Sequence, residues 1–256
     1  MLLRAENLTR TFGDTIAVDH VSFELDEGET LALIGHSGCG KTTTLKMLNR
    51  LIEPDEGSVF LGGTSAFDMA GHEWRRRIGF VIQQAGLFPH MSVAENVCVT
   101  PRLLGWSDEQ QSAKLNTLLE IVGLPALDYA DRYPAELSGG QRQRIGLARA
   151  LAGEPDIVLM DEPFAALDPL TKEGLIEDIA RLKHELKFAI VLVTHDFAEA
   201  LRLADRIAVM DKGRIVQIGT AEDLINAPAN EVVSDLLAAP RAMAQRVGRA
   251  FRTASA

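Results

Sequence analysis

Three short stretches carry residue types whose spacing points to chemistry on a phosphate ester. The first is Gly35-His36-Ser37-Gly38-Cys39-Gly40-Lys41-Thr42, followed by Thr43. It fits the pattern G-x-x-x-x-G-K-[ST]. Glycines let a backbone fold tightly and aim several N–H groups at one point. A helix starting at the end of the loop adds its positive dipole end. Lys41 is then expected to reach the β- and γ-phosphates of a nucleotide, and Thr42 to offer its hydroxyl to Mg²⁺. A glycine-rich turn beside an exposed lysine would share these letters. The context separates the two: Leu31 to Ile34 reads as a short apolar strand, and Thr42 to Leu51 has helical character.

The second stretch is Ile157-Val158-Leu159-Met160 running into Asp161-Glu162-Pro163. An apolar parallel strand that ends in carboxylates sets them at the C-terminal edge of a sheet, where open α/β folds hold ligands. Asp161 is expected to hold Mg²⁺ through water, and Glu162 to polarise an attacking water as general base. Taken alone, a strand end followed by helix-capping acids would look the same. The third stretch is Leu137-Ser138-Gly139-Gly140-Gln141. Ser138 fits the N-cap of the helix that follows, and two glycines leave N–H groups uncovered at a positive helix end, an arrangement suited to an anion. An ordinary capped helix start fits it equally well.

The elements that must position these residues follow from periodicity. Residues 1–34 read as β; Val21, Phe23 and Leu25 alternate with Ser22, Glu24 and Asp26, as in a half-buried strand. Residues 78–82 form another short strand. From about 90 to 152 the chain reads as mostly helical, with Ser107 and Gln110 as a capping box, Gly123 as a stop, and a helix from Gly139 to Ala152. Strand 156–160, helix 171–186, strand 188–194, helix 197–203 and strand 206–210 then alternate. That alternation implies a parallel sheet with helices on both faces, which the helical block interrupts as an insertion.

Composition narrows the class. Hydrophobic residues make up 46 % and charged residues 24 % of 256, an ordinary globular balance. A net charge of −10 argues against nucleic acid as the main partner. Cys39 and Cys98 make neither a disulfide framework nor a metal cluster, so a reducing compartment is expected. No apolar run approaches the ~20 residues of a membrane span, and the N-terminus carries no signal-peptide pattern. Work at a membrane would need another chain to cross it.

Taken together and in this order, these motifs resemble the ABC ATPase family over about residues 1–237. The resemblance rests on the loop at 35–42, Gln83, Leu137 to Gln141, Asp161-Glu162, Ala165-Ala166-Leu167-Asp168 and His195. It implies an α/β fold: a phosphate-loop NTPase core with a mostly parallel sheet, an N-terminal antiparallel β subdomain and an inserted helical subdomain bearing the signature Ser138-Gly139-Gly140-Gln141. It implies ATP as substrate and Mg²⁺ as cofactor. Phe12 matches the aromatic that stacks on adenine, with a core phenylalanine as the plain alternative. Gln83 matches the glutamine that contacts Mg²⁺ and senses the membrane partner, His195 the histidine at the γ-phosphate, and Asp168 the aspartate that links two active sites. In this family the signature of one subunit closes over the nucleotide of another. One loop and one signature therefore imply a head-to-tail dimer, most simply of two copies, with ATP between them.

Residues 78–97, IGFVIQQAGLFPHMSVAENV, with residues 48–59 and 213–230, resemble the importer branch. They are most similar to the subunits that energise uptake of glycine betaine, carnitine and choline. That implies a peripheral protein on the cytoplasmic face of the plasma membrane, permease subunits docking on Gln83 to Met91, and an extracytoplasmic solute-binding protein as indirect partner. Leu87, Phe88 and Met91 are candidates for the docking groove; packing of the insertion onto the core is the alternative. An importer for another small solute, such as an amino acid, a soluble ABC protein that acts on DNA or the ribosome, and a non-catalytic subunit remain as competing readings. Residues 1–240 are expected to form the ATP-binding domain. The tail, residues 241–256, with Arg241, Arg246, Arg249 and Arg252, is expected to be a solvated end. Many relatives carry paired nucleotide-sensing modules after the ATPase domain, and the sequence after Pro240 has room for neither.

Overall fold

A computed structural model of the chain describes residues 1–238 except Gln84 and Ala166, together with Ala242. The basic tail therefore lies outside the described residues. Alternating apolar positions near the N-terminus pair two strands across the Gly13-Asp14 turn. β1 (Leu3–Phe12) runs antiparallel to β2 (Thr15–Leu25), with Phe12 opposite Thr15. β4 (Glu56–Leu61) pairs antiparallel with β1, and β5 (Thr64–Ser65) with β4, which gives a four-stranded sheet in the order β2-β1-β4-β5.

The second sheet has six strands in the order β10-β9-β3-β8-β7-β6. β3 (Thr30–Ile34), β6 (Ile78–Val81), β7 (Ile157–Asp161), β8 (Ala189–Val193) and β9 (Arg206–Asp211) are parallel, and β10 (Arg214–Gly219) turns back along β9. β3 and β8 are buried at every residue, as both faces of a central parallel strand must be. Alternate residues serve different cores. Leu31, Leu33, Leu159 and Val191 face the small sheet, α1 (Lys41–Leu48) and α2 (Gly71–Arg76). Val158, Met160, Ile190 and Leu192 face α7 (Pro169–Leu186) and the helical block. Ala32, Ile34, Ile207 and Val209 face α8 (Phe197–Leu203) and α9 (Ala221–Asn226). Burying a leucine or isoleucine side chain contributes about 1.5–3 kcal/mol, so these strands are anchored from both sides.

The helical block lies between β6 and β7. It comprises α3 (Val93–Leu103), α4 (Asp108–Ile121), α5 (Ala126–Tyr129) and α6 (Gly139–Leu151). The Ser107–Gln110 capping box forms, and Gly123 takes a left-handed conformation just past α4. Several elements exceed the sequence reading. α3 carries a Ser92–Glu95 capping box of its own and α9 one from Thr220 and Asp223; β4, β5, α2 and β10 were not resolved from periodicity. The strand and helix limits that the sequence suggests agree to within two residues, except that α1 ends at Leu48, three residues before the expected Leu51.

Parallel strands put all their C-terminal ends at one edge. β3 runs there into residues 35–40, β6 into Gln83, β7 into Asp161-Glu162 and β8 into His195.

Candidate functional site

The loop after β3 holds its shape because its glycines have no side chains. At Gly35 (φ 152°) a Cβ would overlap the Met210 carbonyl oxygen, and at Gly40 (φ 106°) the Ala17 carbonyl oxygen. Both are backbone atoms that cannot move aside cheaply. β2 is thus packed directly on the loop, and beside Ala17 the Gly213 N–H donates to the Cys39 carbonyl at 3.0 Å. His36, Ser37 and Gly38 stand exposed at the loop tip, Cys39 is buried, and Thr43 is partly exposed. Lys41 is buried with its ammonium at the loop centre, where it donates to the carbonyls of Gly35 (2.8 Å) and His36 (3.0 Å) and lies 3.7 Å from Cys39 Sγ. Gly40 caps α1 in a left-handed conformation with no side-chain cap bond, so the first N–H groups of α1 remain open to an anion.

Two polar groups meet across β3 and β7. Thr42 Oγ1 donates to Asp161 Oδ1 at 2.9 Å. Burial pushes the Asp161 carboxyl above its usual range, against the Thr42 hydrogen bond and the nearby charges of Lys46 and Lys41. Among the described residues no group of three or more His, Cys, Asp and Glu side chains could hold a metal. A hydroxyl beside one carboxylate instead suits Mg²⁺, which takes oxygen ligands and completes its shell with phosphates and water. These residues therefore fit the ion.

Glu162 is the hub of the edge. Its backbone sits at φ 44°, a conformation non-glycine residues rarely adopt, held by its N–H bond to the Val193 carbonyl at 2.9 Å. Gln83 Nε2 donates to Glu162 Oε2 at 3.3 Å, and His195 Nδ1 lies 3.5 Å from Glu162 Oε1. Residues 79, 112 and 33 positions apart in pairs converge here only because β6, β7 and β8 are adjacent and parallel. Phe12, at the tip of the β1–β2 hairpin, is 46 % exposed rather than a core residue. The Arg10 guanidinium lies 5.0 Å from its ring and is itself held by Asp55 at 2.6 Å.

The signature residues make bonds of their own. Ser138 caps α6 by accepting from Gln141 N–H, and Gln141 returns the bond to Ser138 N–H and donates to the Tyr129 hydroxyl at 3.2 Å. Their described hydrogen bonds reach no residue of the 35–42 loop. Gly140 packs so closely on Thr171, in the first turn of α7, that a Cβ would overlap its methyl group. Asp168 caps α7 by accepting from Thr171 N–H at 3.1 Å.

Residues 18–165, more than half of the chain, match the ABC transporter family. The chain belongs to that family. It is 48 % identical over 94 % of its length to the choline transport ATP-binding protein OpuBA of Bacillus subtilis (strain 168). It is 46 % identical over 96 % of its length to the glycine betaine/carnitine/choline transport ATP-binding protein OpuCA of the same organism. It spans 63 % and 64 % of the length of those two relatives. Among solved structures it resembles the dimeric post-hydrolysis state of the ATP-binding cassette MJ0796 bound to ADP and Pi, with a TM-score of 0.77 and 32 % identity over 86 % of this chain and 98 % of that one. The ABC ATPase fold expected from the motifs is thereby shown.

Within this ABC fold, sequence reading missed the residues that hold the segment after Gln83. Buried Asn96 accepts from Phe88 N–H at 2.8 Å and donates to the carbonyls of Phe88, Met91 and Ser92. Arg149 donates to the carbonyls of Ala85 and Gly86 and lies 5.7 Å from the Phe88 ring. Neither residue type in a helix marks such a role, so the sequence carried no local signal for it. Of the groove candidates, Phe88 is exposed and lines a cleft of about 320 Å³ with Leu51, Arg75, Phe80 and Thr100. Leu87 packs instead against the helical core.

Proposed function

We propose that this chain is the ATP-binding and ATP-hydrolysing subunit of an ABC importer for quaternary-amine osmoprotectants such as glycine betaine, carnitine or choline. The observation that carries the hydrolytic reading is Glu162, strained in backbone and flanked by Gln83 and His195, beside the Thr42–Asp161 pair. In the reaction a water oxygen bonds to the γ-phosphorus while the bond from that phosphorus to the β–γ bridging oxygen breaks, giving ADP and phosphate. Glu162 accepts the proton of the attacking water, and Lys41, the loop N–H groups and His195 meet the negative charge of the phosphoryl oxygens. Thr42, Asp161 and Gln83 would hold Mg²⁺, which when bound neutralises charge on the β- and γ-phosphates. Phe12 offers an exposed ring face to adenine.

Ser138, Gly139, Gly140 and Gln141 act in trans in this reading, on nucleotide held by a second copy, and Asp168 links the two sites. That their described hydrogen bonds reach no residue of the 35–42 loop, and the dimeric structural relative, support this. Among the described residues no helix is long and apolar enough to cross a membrane, so separate permease subunits would do so and hold the chain at the cytoplasmic face. A short helix of the permease fits the cleft at Phe88, with apolar anchors and the polar rim of Arg75 and Arg76. An extracytoplasmic binding protein delivers the solute to the permease. Residues 1–240 act as one ATP-binding domain. The amine specificity rests on likeness to the two importer subunits named above.

Glu162→Gln tests the core of the proposal. It should bind ATP and accumulate as a dimer in size-exclusion chromatography while hydrolysis falls about 10²–10⁴-fold. Undiminished turnover would remove Glu162 from the base role. Uptake of labelled glycine betaine, choline and carnitine by vesicles holding the whole complex tests the solute; transport of an unrelated solute alone would overturn the amine assignment and leave the ATPase reading intact.

A further inference from the structure

The mechanism above uses His195 but not the charged cluster behind it. Glu199, on α8, is only 5 % exposed, an unusual place for a carboxylate. It is fully partnered. Lys172 Nζ, from the first turns of α7, lies 2.5 Å from Glu199 Oε1 and 2.7 Å from Asp196 Oδ2. The other Glu199 oxygen accepts from Thr194 Oγ1. Thr194 Oγ1 in turn accepts from Asp196 N–H at 3.0 Å, and Asp196 Oδ1 caps α8 through Ala198 N–H at 2.8 Å. Both residues that flank His195 are therefore tied to one ammonium. Burial works against the Lys172 charge, yet its hydrogen bonds to Asp196 and Glu199 hold its pKa above the ordinary lysine value. The His195 side chain itself is 60 % exposed, with Glu162 its one described ionic neighbour. Packing does not hold the ring, so its position depends on the backbone at 194–196.

We propose that Lys172 is a positioning residue for His195, fixing the Thr194–Asp196 backbone through Glu199 and Asp196 so that the imidazole stays beside Glu162. This rests on the reading of His195 as a γ-phosphate group. A salt bridge that only joined α7 to α8 would contribute to stability and leave turnover per folded molecule unchanged. A positioning role instead lowers kcat with ATP affinity retained, because Phe12, the loop and Lys41 are untouched.

The test uses the full chain, with ATP hydrolysis, ATP affinity by titration calorimetry and thermal unfolding measured on each variant. Lys172→Met alone leaves Glu199 buried without a counter-charge, which is strongly destabilising. Lys172→Met/Glu199→Gln, which removes both charges together, is measured beside it. The paired variant should fold, keep its ATP Kd within about threefold and lose at least about tenfold in kcat, a change of about 1.4 kcal/mol in barrier. Lys172→Arg, whose fork reaches two carboxylates, should recover kcat to within about threefold of the parent. A folded paired variant with parental kcat, beside a His195→Ala variant that has lost activity, would overturn the proposal. So would a paired variant that does not fold, since the cluster would then be a folding element. If His195→Ala itself turns over at the parental rate, the underlying role of His195 fails, a result that no Lys172 variant could produce.

Discussion

Two helices of this chain begin with glycines and are read as phosphate sites, yet they are built in opposite ways. α1 starts from Gly40 in a left-handed conformation without any side-chain cap. α6 starts from Ser138, extended, with a complete capping box to Gln141. The loop before α1 is gripped by backbone, from Ala17 and Gly213. The first residue of α6 is open: a Cβ on Gly139 would meet nothing within 4 Å, although Gly140 after it packs on Thr171. One N-terminus is closely packed and, in the proposed reading, leaves its donors for a nucleotide held by the same chain. The other satisfies part of its own backbone need and presents a smooth, exposed end to something that arrives from outside. A site completed by a second copy needs that division, since the surface that docks must be stable before it is covered.

The largest expected effect comes from adding one methyl group to each helix start. Gly40→Ala forces a β-carbon into the Ala17 carbonyl at a φ that alanine rarely adopts. It should abolish detectable ATP binding in titration calorimetry, a loss of more than about 100-fold, or about 2.8 kcal/mol. Gly139→Ala should leave the ATP affinity of the isolated chain within about twofold, while turnover, which in the proposed reading needs the docked signature, falls. If the two substitutions weaken nucleotide binding equally, the contrast between a gripped and an open helix start is wrong.

Much of this contrast was legible in the letters. The 35–42 loop, the acids after β7 and the Ser138 cap are local patterns, and local patterns survive without coordinates. What was not legible is convergence. Glu162, Gln83 and His195 meet because β7 lies between β6 and β8, an adjacency that periodicity does not encode. For the same reason β10 escaped notice, as a half-exposed edge strand with weak alternation. Asn96 and Arg149 look like helix-surface residues until the segment they hold is seen folded against them. Phe12 turned on exposure, which a single aromatic in a strand does not announce.

A second prediction sharpens the closely packed half. Asp161 sits where burial raises its pKa from 3.8, and the Thr42 hydroxyl partly offsets that rise. In the proposed reading its charge helps to hold Mg²⁺, so the acid limb of Mg²⁺-dependent hydrolysis should lie at higher pH than a free aspartate would give. Thr42→Val removes the hydrogen bond that favours the carboxylate. It should shift that limb further toward neutral pH and weaken the apparent Mg²⁺ affinity by at least about tenfold, since it removes both a proposed ligand of the ion and a hydrogen bond to a charged group worth about 1.5–3 kcal/mol. For stability the sign is the reverse: the buried charge opposes folding above its raised pKa, and protonation as pH falls through that value relieves the penalty. An acid limb in Thr42→Val that stays put or moves down would show that Thr42 does not tune this carboxylate.

The smallest effect separates the two duties of the open helix start. Ser138→Ala removes a side-chain cap worth about 1 kcal/mol, which in a chain of this size lowers the unfolding temperature by about 2–4 °C. Ser138→Asp restores the cap, because a carboxylate accepts the Gln141 N–H as well as a hydroxyl does and suits the positive helix end. It should recover the unfolding temperature to within about 1 °C by the same conversion. If α6 served only as a capped helix, hydrolysis would recover with it. If its N-terminus receives the phosphates of a partner's nucleotide, the new carboxylate repels them, and turnover stays low although the helix is as stable as before. Thermal unfolding and steady-state hydrolysis on the same three proteins decide it: stability and turnover that rise and fall together reduce α6 to a capped helix, and stability without turnover keeps it as the docking half of the site.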